Sequence, residues 1–142
     1  MIVADVNLLA YLLISGEHTE EARAVLRKDA VWAFPYLWRS EFRNILAMHL
    51  QHRGMSLGDA SLVWDHAASL ARDHEYAVDA QAILELVAHD PLTAYDAEYV
   101  ALARHLGVPL VSFDQKLQIA APQTAISAEK YLRGQGRGRQ RS

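Results

Sequence analysis

The sequence predicts an α/β fold of three layers, in which a central, mainly parallel sheet lies between two layers of helices. Two observations support this prediction. Short apolar runs of strand length alternate along the chain with longer segments whose apolar residues recur at helical spacing. The chain has 142 residues, of which 51% are hydrophobic, and this is the usual size of one globular domain. Strands that alternate with helices form βαβ units, which place helices on both faces of a parallel sheet.

The first half of the chain supplies two predicted strands and four predicted helices. Apolar residues 2–4 predict the first strand, and the run "VWAF" before Pro35 predicts the second. Composition and apolar spacing predict helices over residues 7–14, 19–28, 36–51 and 57–71. Ser56, followed by Asp59, is typical of an N-cap that opens the last of these helices, and Gly54 suits the end of the helix before it.

The second half continues the alternation. The runs "YAVD", "VPLVSF" and "TAI" predict three further strands, and helices are expected over residues 80–88, 93–106, 115–120 and 127–132. Gly107 is expected to end the strongly amphipathic helix 93–106. The chain shows no internal repeat and no linker. We therefore expect one domain over residues 1–132, followed by a tail over residues 133–142.

Acidic residues follow two of the predicted strands directly. Asp5 comes after "MIVA", and Asp114 ends the run "VPLVSF". In open parallel sheets, ligands bind beyond the carboxyl ends of the strands, where the strand order switches. Glu41 lies one turn into the helix after "VWAFP", and Asp96 lies in the first turn of the helix that leads to the Asp114 strand. Helices between parallel strands begin near that same edge, so we expect the four acids to meet there.

Each acid also has an ordinary structural explanation. Asp5 and Asp114 suit the N-cap positions of the helices that follow them, and Asp96, three residues after Thr93, fits a variant of the capping box. Glu41 can face solvent or pair with Arg39 or Arg43. These explanations are weaker for the four together, because independent helix caps need not fall at one edge of the sheet.

A cluster of four carboxylates predicts a divalent cation. Like charges at close range raise one another's pKa values unless a cation neutralises them. The chain has no cysteine, and oxygen ligands without thiolate suit Mg²⁺ or Mn²⁺, which bind through few carboxylates and keep several waters. Such an ion activates water for attack on phosphorus, and a second ion adds to this effect. The sequence therefore predicts hydrolysis of phosphodiester bonds.

Three motifs together resemble the PIN-domain ribonucleases, and more narrowly the toxins of the VapC type. "MIVADVNLL" resembles the opening strand with its Asp, "SEFRN" resembles the helix that carries a Glu, and "YDAEYVALARHLGVPLVSFDQKL" resembles the closing signature. By this resemblance the metal-binding acids are Asp5, Glu41, Asp96 and Asp114, while Asn7 and Ser112 take the supporting polar positions. Ser112 stands where Thr is common, and Leu117 stands where an aromatic residue often occurs.

The resemblance implies a fold, an activity and partners. It implies a PIN-like sheet between helices and an Mg²⁺- or Mn²⁺-dependent endonuclease that leaves 5′-phosphate and 3′-hydroxyl ends on RNA. It further implies a homodimer and a small VapB-like antitoxin that covers the active-site groove. The predicted helix 57–71 carries Leu62, Val63, Trp64 and Leu70, which either form a partner groove or pack into the core. Arg39 and Arg43 either hold the RNA backbone or lie exposed.

The charge of the chain is distributed unevenly. The last ten residues hold four arginines and no acid, and without them 10 basic residues would stand against 17 acidic ones, a formal charge of −7 in place of −3. A segment of Gly, Gln and Arg is expected to be disordered. Arg137 and Arg139 are candidate phosphate contacts for RNA, and the alternative is a solubilising tail. Residues 1–13 are apolar but contain Asp5 and Asn7 and are too short to span a bilayer, so a cytoplasmic protein without a membrane segment is expected.

Three other interpretations have less support. His49 and His52 share a helical face, but no second cluster completes a zinc site. "DVN" and Lys116 suggest a phosphoryl-transfer aspartate, but the second Asp of that motif is missing. No glycine-rich phosphate loop occurs. The non-enzymatic alternative is an RNA-binding module in which the acids are helix caps and the arginine tail supplies the affinity.

Overall fold

A computed structural model describes residues 1–134, which form five strands and eight helices. In chain order these elements are β1 (Ile2–Ala4), α1 (Val6–Leu13), α2 (Thr19–Lys28), β2 (Trp32–Pro35), α3 (Trp38–His52), α4 (Leu57–Ala71), β3 (Glu75–Tyr76), α5 (Ala80–His89), α6 (Ala94–Leu106), β4 (Leu110–Val111), α7 (Gln115–Ala120), β5 (Ala125–Ile126) and α8 (Ala128–Leu132). Arg137 and Arg139 of the predicted tail lie outside the described residues. Arg133 directly follows α8 and pairs with Glu129 of that helix.

The five strands form one sheet in the order β3-β2-β1-β4-β5, and all four pairings are parallel. The predicted three-layer α/β fold is confirmed. In β1, Val3 pairs with Ala33 of β2 on one side and with Leu110 of β4 on the other. The chain builds the sheet outward from β1 to β3 and then crosses to β4. The strand order therefore switches at β1, between β2 and β4.

Four of the five strands, β1, β2, β4 and β5, are buried along their whole length, which explains why they consist of continuous apolar runs, whereas the edge strand β3 is partly exposed. All three residues of β1 and both residues of β4 are fully buried. Helix α6 packs its inner side against the sheet, burying residues such as Tyr99, Val100 and Leu102. This packing brings the first turn of α6 to the carboxyl edge of the strands.

The structure differs from the predicted elements mainly at the ends of strands. The strand predicted for residues 76–79 is β3 at Glu75–Tyr76, because Asp79 instead caps α5 by accepting a hydrogen bond from the Ala82 N–H (3.3 Å). The strand predicted for residues 108–113 is paired only over Leu110–Val111. Among residues 1–134, no helix combines the length and the apolar character that crossing a bilayer requires.

Candidate active site

The ends of β1 and β4 bring two of the predicted acids to adjacent positions at the sheet edge. Asp5 directly follows β1, and its N–H donates a hydrogen bond to the Val111 carbonyl of β4 (3.2 Å). Asp114 follows β4 by three residues and precedes α7. Because β1 and β4 are parallel neighbours, both carboxylates lie beyond the carboxyl ends of their strands, at the switch in strand order.

A buried hydroxyl connects these two acids. The Ser112 side chain is fully buried, and its Oγ donates to Asp5 Oδ2 at 2.7 Å. The same Oγ accepts a hydrogen bond from the Asp114 N–H at 2.9 Å. Ser112 therefore fixes the Asp5 carboxylate and the backbone of Asp114 at once. A supporting role of Ser112 in a metal site stays a prediction.

Glu41 reaches the cluster from the first turn of α3 and is held by a residue of α6. The hydroxyl of Tyr99 donates to Glu41 Oε1 at 2.7 Å, and the Tyr99 side chain is almost completely buried. Neither Arg39 nor Arg43 forms an ion pair with Glu41 within the part of the chain that the structure describes. The expected alternative, a surface ion pair on α3, is therefore wrong for Glu41.

The helix-cap explanation holds for one of the other three acids. Asp114 caps α7, since its carboxylate accepts from the Lys116 N–H (2.9 Å). Asp5 occupies the N-cap position of α1 but makes no side-chain cap bond. Helix α6 is capped by Thr93, whose Oγ1 accepts from the Asp96 N–H (3.1 Å). The Asp5 and Asp96 carboxylates are thus not explained by capping alone.

The four acids form one electrostatic network. Burial raises the pKa of Asp5, and the charges of Asp96 and Asp114 raise it further, while the Ser112 hydroxyl opposes the shift. Burial and the charge of Asp114 raise the pKa of Asp96. Burial, with the charges of Asp5 and Asp96, raises the pKa of Glu41 to about 7, against the effect of the Tyr99 hydroxyl. Raised pKa values at several neighbouring acids are typical of functional sites.

The chemistry of this cluster fits a hard divalent cation. Within residues 1–134, no Lys, Arg or His forms an ion pair with any of the four carboxylates, so their charge is not neutralised inside the domain. The donors are oxygen atoms, which suit Mg²⁺ or Mn²⁺. Over the same residues, however, no three acidic or histidine side chains are grouped closely enough to hold an ion as they stand. Binding would therefore require the carboxylates to approach one another.

Two residues of the site were not predicted from the sequence, Glu98 and Tyr99. Glu98 is half-buried, its pKa is raised by burial, and it accepts a hydrogen bond from the Leu37 N–H. Its charge also raises the pKa of Glu41. Tyr99 lies three residues after Asp96, on the same helical face, and this spacing is a signal that a search for hydrogen-bond donors could use. Glu98 gives no such signal, because its contact depends on how α6 packs against α3.

The arginines predicted to hold RNA have partners inside the domain. Arg39 binds Glu75 through two hydrogen bonds (2.6 and 2.7 Å), and this pair lowers the pKa of Glu75. The guanidinium of Arg43 lies over the Trp64 ring, 5.7 Å from its centroid. Both arginines are two residues from Glu41, which places them on the other side of α3. RNA contact by Arg39 or Arg43 stays a prediction, and it would compete with these contacts.

The remaining polar candidates lie along a groove beside the cluster. Asn7 is exposed in the first turn of α1 and lines a groove of about 370 Å³ between α1 and α3. His49 and Arg53 line the same groove from α3. His49 and His52 do not belong to a group that could hold a metal within the described chain. The groove extends from Asn7, two residues after Asp5, to Arg53, which directly follows α3.

Comparison with known proteins identifies the fold. The family model of the PIN domain matches residues 2–121. No curated protein matches the chain. Among solved structures, PAE2754 from Pyrobaculum aerophilum shares 21% identity (TM-score 0.73, covering 94% of this chain and 87% of that one). FitAcB from Neisseria gonorrhoeae shares 15% identity, with a TM-score of 0.72 and coverage of 91% of this chain and 99% of that one. A toxin-antitoxin complex from Klebsiella pneumoniae shares 17% identity, with a TM-score of 0.68 and coverage of 90% of this chain and 98% of that one.

Proposed function

The chain belongs to the PIN-domain family, and from this premise we propose that it is a metal-dependent endoribonuclease and the toxin of a VapC-type toxin–antitoxin pair. The observation that carries the proposal is the electrostatic network of Asp5, Glu41, Asp96 and Asp114 at the carboxyl edge of the sheet. Four acids from four separate segments, not neutralised within the domain, are what a cation site for phosphodiester hydrolysis requires.

Each of the four acids is proposed as a ligand for Mg²⁺ or Mn²⁺. When bound, such an ion supplies Lewis acidity, lowers the pKa of water and neutralises charge on the leaving oxygen. Ser112 orients the Asp5 carboxylate through the bond to Oδ2, which leaves Oδ1 for other partners. Tyr99 orients Glu41 in the same way through Oε1. Asp114 is held at its backbone by Ser112 and uses Oδ1 to cap α7, so Oδ2 is the oxygen it can offer.

The proposed partners are a small antitoxin and a second copy of the chain, acting in the cytoplasm. Support for the antitoxin comes from the fold shared with a toxin-antitoxin complex. On α4, Leu57 and Leu62 are 74% and 59% exposed, whereas Val63, Trp64 and Leu70 pack partly against the core. Core packing therefore accounts for most of the apolar side chains of α4. Besides the active-site groove that the resemblance implies, we propose the groove of about 470 Å³ between α3 and α4, next to Trp64, as a second antitoxin surface.

A second candidate is an RNA-binding module without catalysis. One observation favours it, since no three acidic or histidine side chains of residues 1–134 stand close enough to hold an ion. In this alternative the acids serve the fold, as Asp114 does when it caps α7. Binding would then depend on salt and survive loss of the acids.

RNA cleavage with and without metal separates the two candidates. The protein is incubated with a structured RNA in Mg²⁺, in Mn²⁺ and in EDTA, and the product ends are mapped. Cuts with 5′-phosphate ends are expected only with metal and not for Asp96→Asn, while the surface variant Asp59→Asn cleaves as the wild type does. RNA that is bound but left intact in both metals would support the binding module instead.

A further inference from the structure

Three aromatic side chains cluster beside the acids without any role in the site described above. The rings of His18 and Phe113 are stacked, with centroids 4.5 Å apart and an angle of 29° between the planes. Tyr11 packs its ring edge against both, at 4.9 Å from His18 and 5.1 Å from Phe113. We refer to Tyr11, His18 and Phe113 as the aromatic cluster. It joins α1, the loop before α2 and the loop after β4.

The chain places this cluster next to the proposed catalytic acids. Phe113 lies between Ser112, which holds Asp5, and Asp114. Tyr11 lies one helical turn after Asn7, on the same side of α1, and both residues line the groove between α1 and α3. Because Phe113 is adjacent along the chain to both Ser112 and Asp114, we expect a nucleotide next to a phosphate at the acids to lie near Phe113.

Core packing accounts for only part of the cluster: Tyr11 and Phe113 pack partly against the core, but His18 does not belong to it. Phe113 is only half-buried, and 33% of the His18 side chain is exposed to solvent. His18 Nδ1 is buried and has no hydrogen-bond partner among the described residues, with Glu21 Oε1 as far away as 3.8 Å. An unpaired buried nitrogen costs free energy that an apolar side chain would avoid. The stacked, partly exposed rings therefore call for another explanation.

The charge around the acids determines what kind of RNA contact this region can make. Four carboxylates repel a polyanion, and Glu17 and Glu21 add further negative charge around His18, whereas Glu20 is paired with Arg23. Arg39 and Arg43 are bound to Glu75 and Trp64. At His18 itself the neighbouring charge is Glu21, 3.8 Å away, so we expect RNA to meet the rings through an uncharged part of the nucleotide rather than through phosphate. Stacking of a base on aromatic rings supplies such a contact, and single-stranded RNA makes its bases available for it.

We propose that His18 and Phe113 form a stacking subsite for one unpaired nucleobase of the RNA, next to the phosphate that is cleaved. This inference rests on the proposed function and deepens it, because it names the two residues that contact a base beside the cut. Tyr11 is a positioning residue that holds the two rings from their edge. The subsite contributes binding without base identity, since every base presents a stacking face.

The test measures binding separately from cleavage. An inactive background, Asp96→Asn in EDTA, is titrated with a labelled single-stranded RNA of about a dozen nucleotides, a length that one such site can cover. A matched set of RNAs carries an abasic nucleotide at each position in turn. Phe113→Leu and His18→Leu remove the rings and keep apolar volume, and Phe113→Tyr keeps the ring. Circular dichroism and thermal melting establish that each variant is folded.

The expected result is a specific coupling between one ring and one base. Phe113→Leu and His18→Leu weaken binding of intact RNA by about 10-fold, within the range that stacking of one base provides. One abasic position causes the same loss in the parent protein and no further loss in Phe113→Leu, while Phe113→Tyr binds as the parent does. His18→Leu, in the loop before α2, gives an independent measurement if Phe113→Leu does not fold.

Two results would overturn the subsite. Equal losses on intact RNA and on every abasic RNA would mean that the rings act only through the fold, and unchanged binding would mean that they do not touch RNA. In either case, metal-dependent cleavage by the wild-type protein would leave the proposed nuclease standing. Absence of both binding and cleavage would remove the nuclease and the subsite together.

Discussion

Ser112 shows how much of the candidate site depends on one buried hydroxyl. It donates to Asp5 and accepts from the Asp114 N–H, so replacing it by Ala leaves a carboxylate and an N–H without these partners. We expect Ser112→Ala to lower the free energy of unfolding by about 2 kcal/mol. Ser112→Thr keeps the hydroxyl and is the matched control. Urea unfolding measures both, and an unchanged midpoint for Ser112→Ala would contradict this role.

Glu41 predicts a particular dependence of stability on pH. Its pKa is about 7 in the folded protein and 4.5 in its ordinary state, so between these values the folded state binds more protons than the unfolded state. The contribution of Glu41 to the free energy of unfolding is therefore fully present below about pH 4.5 and is lost as the pH rises through about 7. Asp5 and Asp96, whose pKa values are also raised, act in the same direction.

The matched variant for this prediction is Glu41→Gln, which removes the titration and keeps an acceptor for Tyr99. In EDTA, the free energy of unfolding of the wild type should fall more steeply between pH 5 and pH 7.5 than that of Glu41→Gln. Urea unfolding across this range measures the two slopes. Identical slopes would show that the pKa of Glu41 is not raised in the folded protein. Mg²⁺ should flatten the slope of the wild type, because a cation favours the ionised carboxylate.

At this scale the sequence predicted the acids better than it predicted their partners. The place of Asp5 and Asp114 at the sheet edge could be predicted because each follows an apolar run that ends there. Tyr99 and Glu98 were missed, because their contacts with Glu41 and Leu37 depend on how α6 packs against α3. The bond between Arg39 and Glu75 joins residues 36 positions apart and has no local signal. Local patterns indicate where a residue lies along its element, and packing then decides what it contacts.

Helix α6 carries Asp96 to the site, and its two ends are fixed by different means. Thr93 caps the start, and Gly107 ends the helix in the left-handed region at φ 67°. A Cβ at Gly107 would meet no atom within 4 Å, so the cost of Gly107→Ala comes from the backbone alone. We expect Gly107→Ala to lower the free energy of unfolding by about 1 kcal/mol.

Gly58 offers the matched control for this helix prediction. It lies inside α4, where an added Cβ would meet only Ser56 Oγ at 3.9 Å. Gly58→Ala should therefore raise the free energy of unfolding by a few tenths of a kcal/mol to about 1 kcal/mol. Thermal or urea unfolding of the two variants should give changes of opposite sign. Equal and small changes would mean that the left-handed conformation of Gly107 carries no strain for Ala.

The helices were predicted with closer boundaries than the strands. Residues 19–28, 57–71 and 115–120 were predicted as helices and match α2, α4 and α7. In contrast, β4 is four residues shorter than its apolar run, two at each end, and beyond its carboxyl end Ser112 and Asp114 form hydrogen bonds in the site and in the cap of α7. Apolar periodicity and capping residues indicate where a helix begins and ends, whereas an apolar run does not indicate which of its residues pair with a neighbouring strand.

At the scale of the whole molecule, the four carboxylates of the site belong to a domain that is itself acidic. The parallel order β3-β2-β1-β4-β5 puts the switch at β1, and this places Asp5 beside the end of β4. The sequence predicted a parallel sheet but not this order, since order depends on which helices pack together. If RNA is the substrate, as proposed, it approaches against like charge, which gives the arginines of residues 133–142 a testable role.

Deletion of residues 133–142 changes the formal charge from −3 to −7. If the arginines contact phosphate, the truncated protein should bind RNA more weakly at low salt, with a smaller dependence on salt concentration. Metal-dependent cleavage of bound RNA should continue, because the four acids remain. Binding curves at two salt concentrations provide the test. Unchanged binding would show that the tail is not an RNA contact.

The proposed function depends above all on four acids from four segments forming one cation site. Calorimetric titration with Mn²⁺ tests this claim most directly. The wild type is compared with four variants, Asp5→Asn, Glu41→Gln, Asp96→Asn and Asp114→Asn. We predict that each variant binds Mn²⁺ about 10-fold more weakly or worse, whereas Asp59→Asn on α4 binds as the wild type does. Equal affinity in the wild type and in folded forms of all four variants would contradict a shared site.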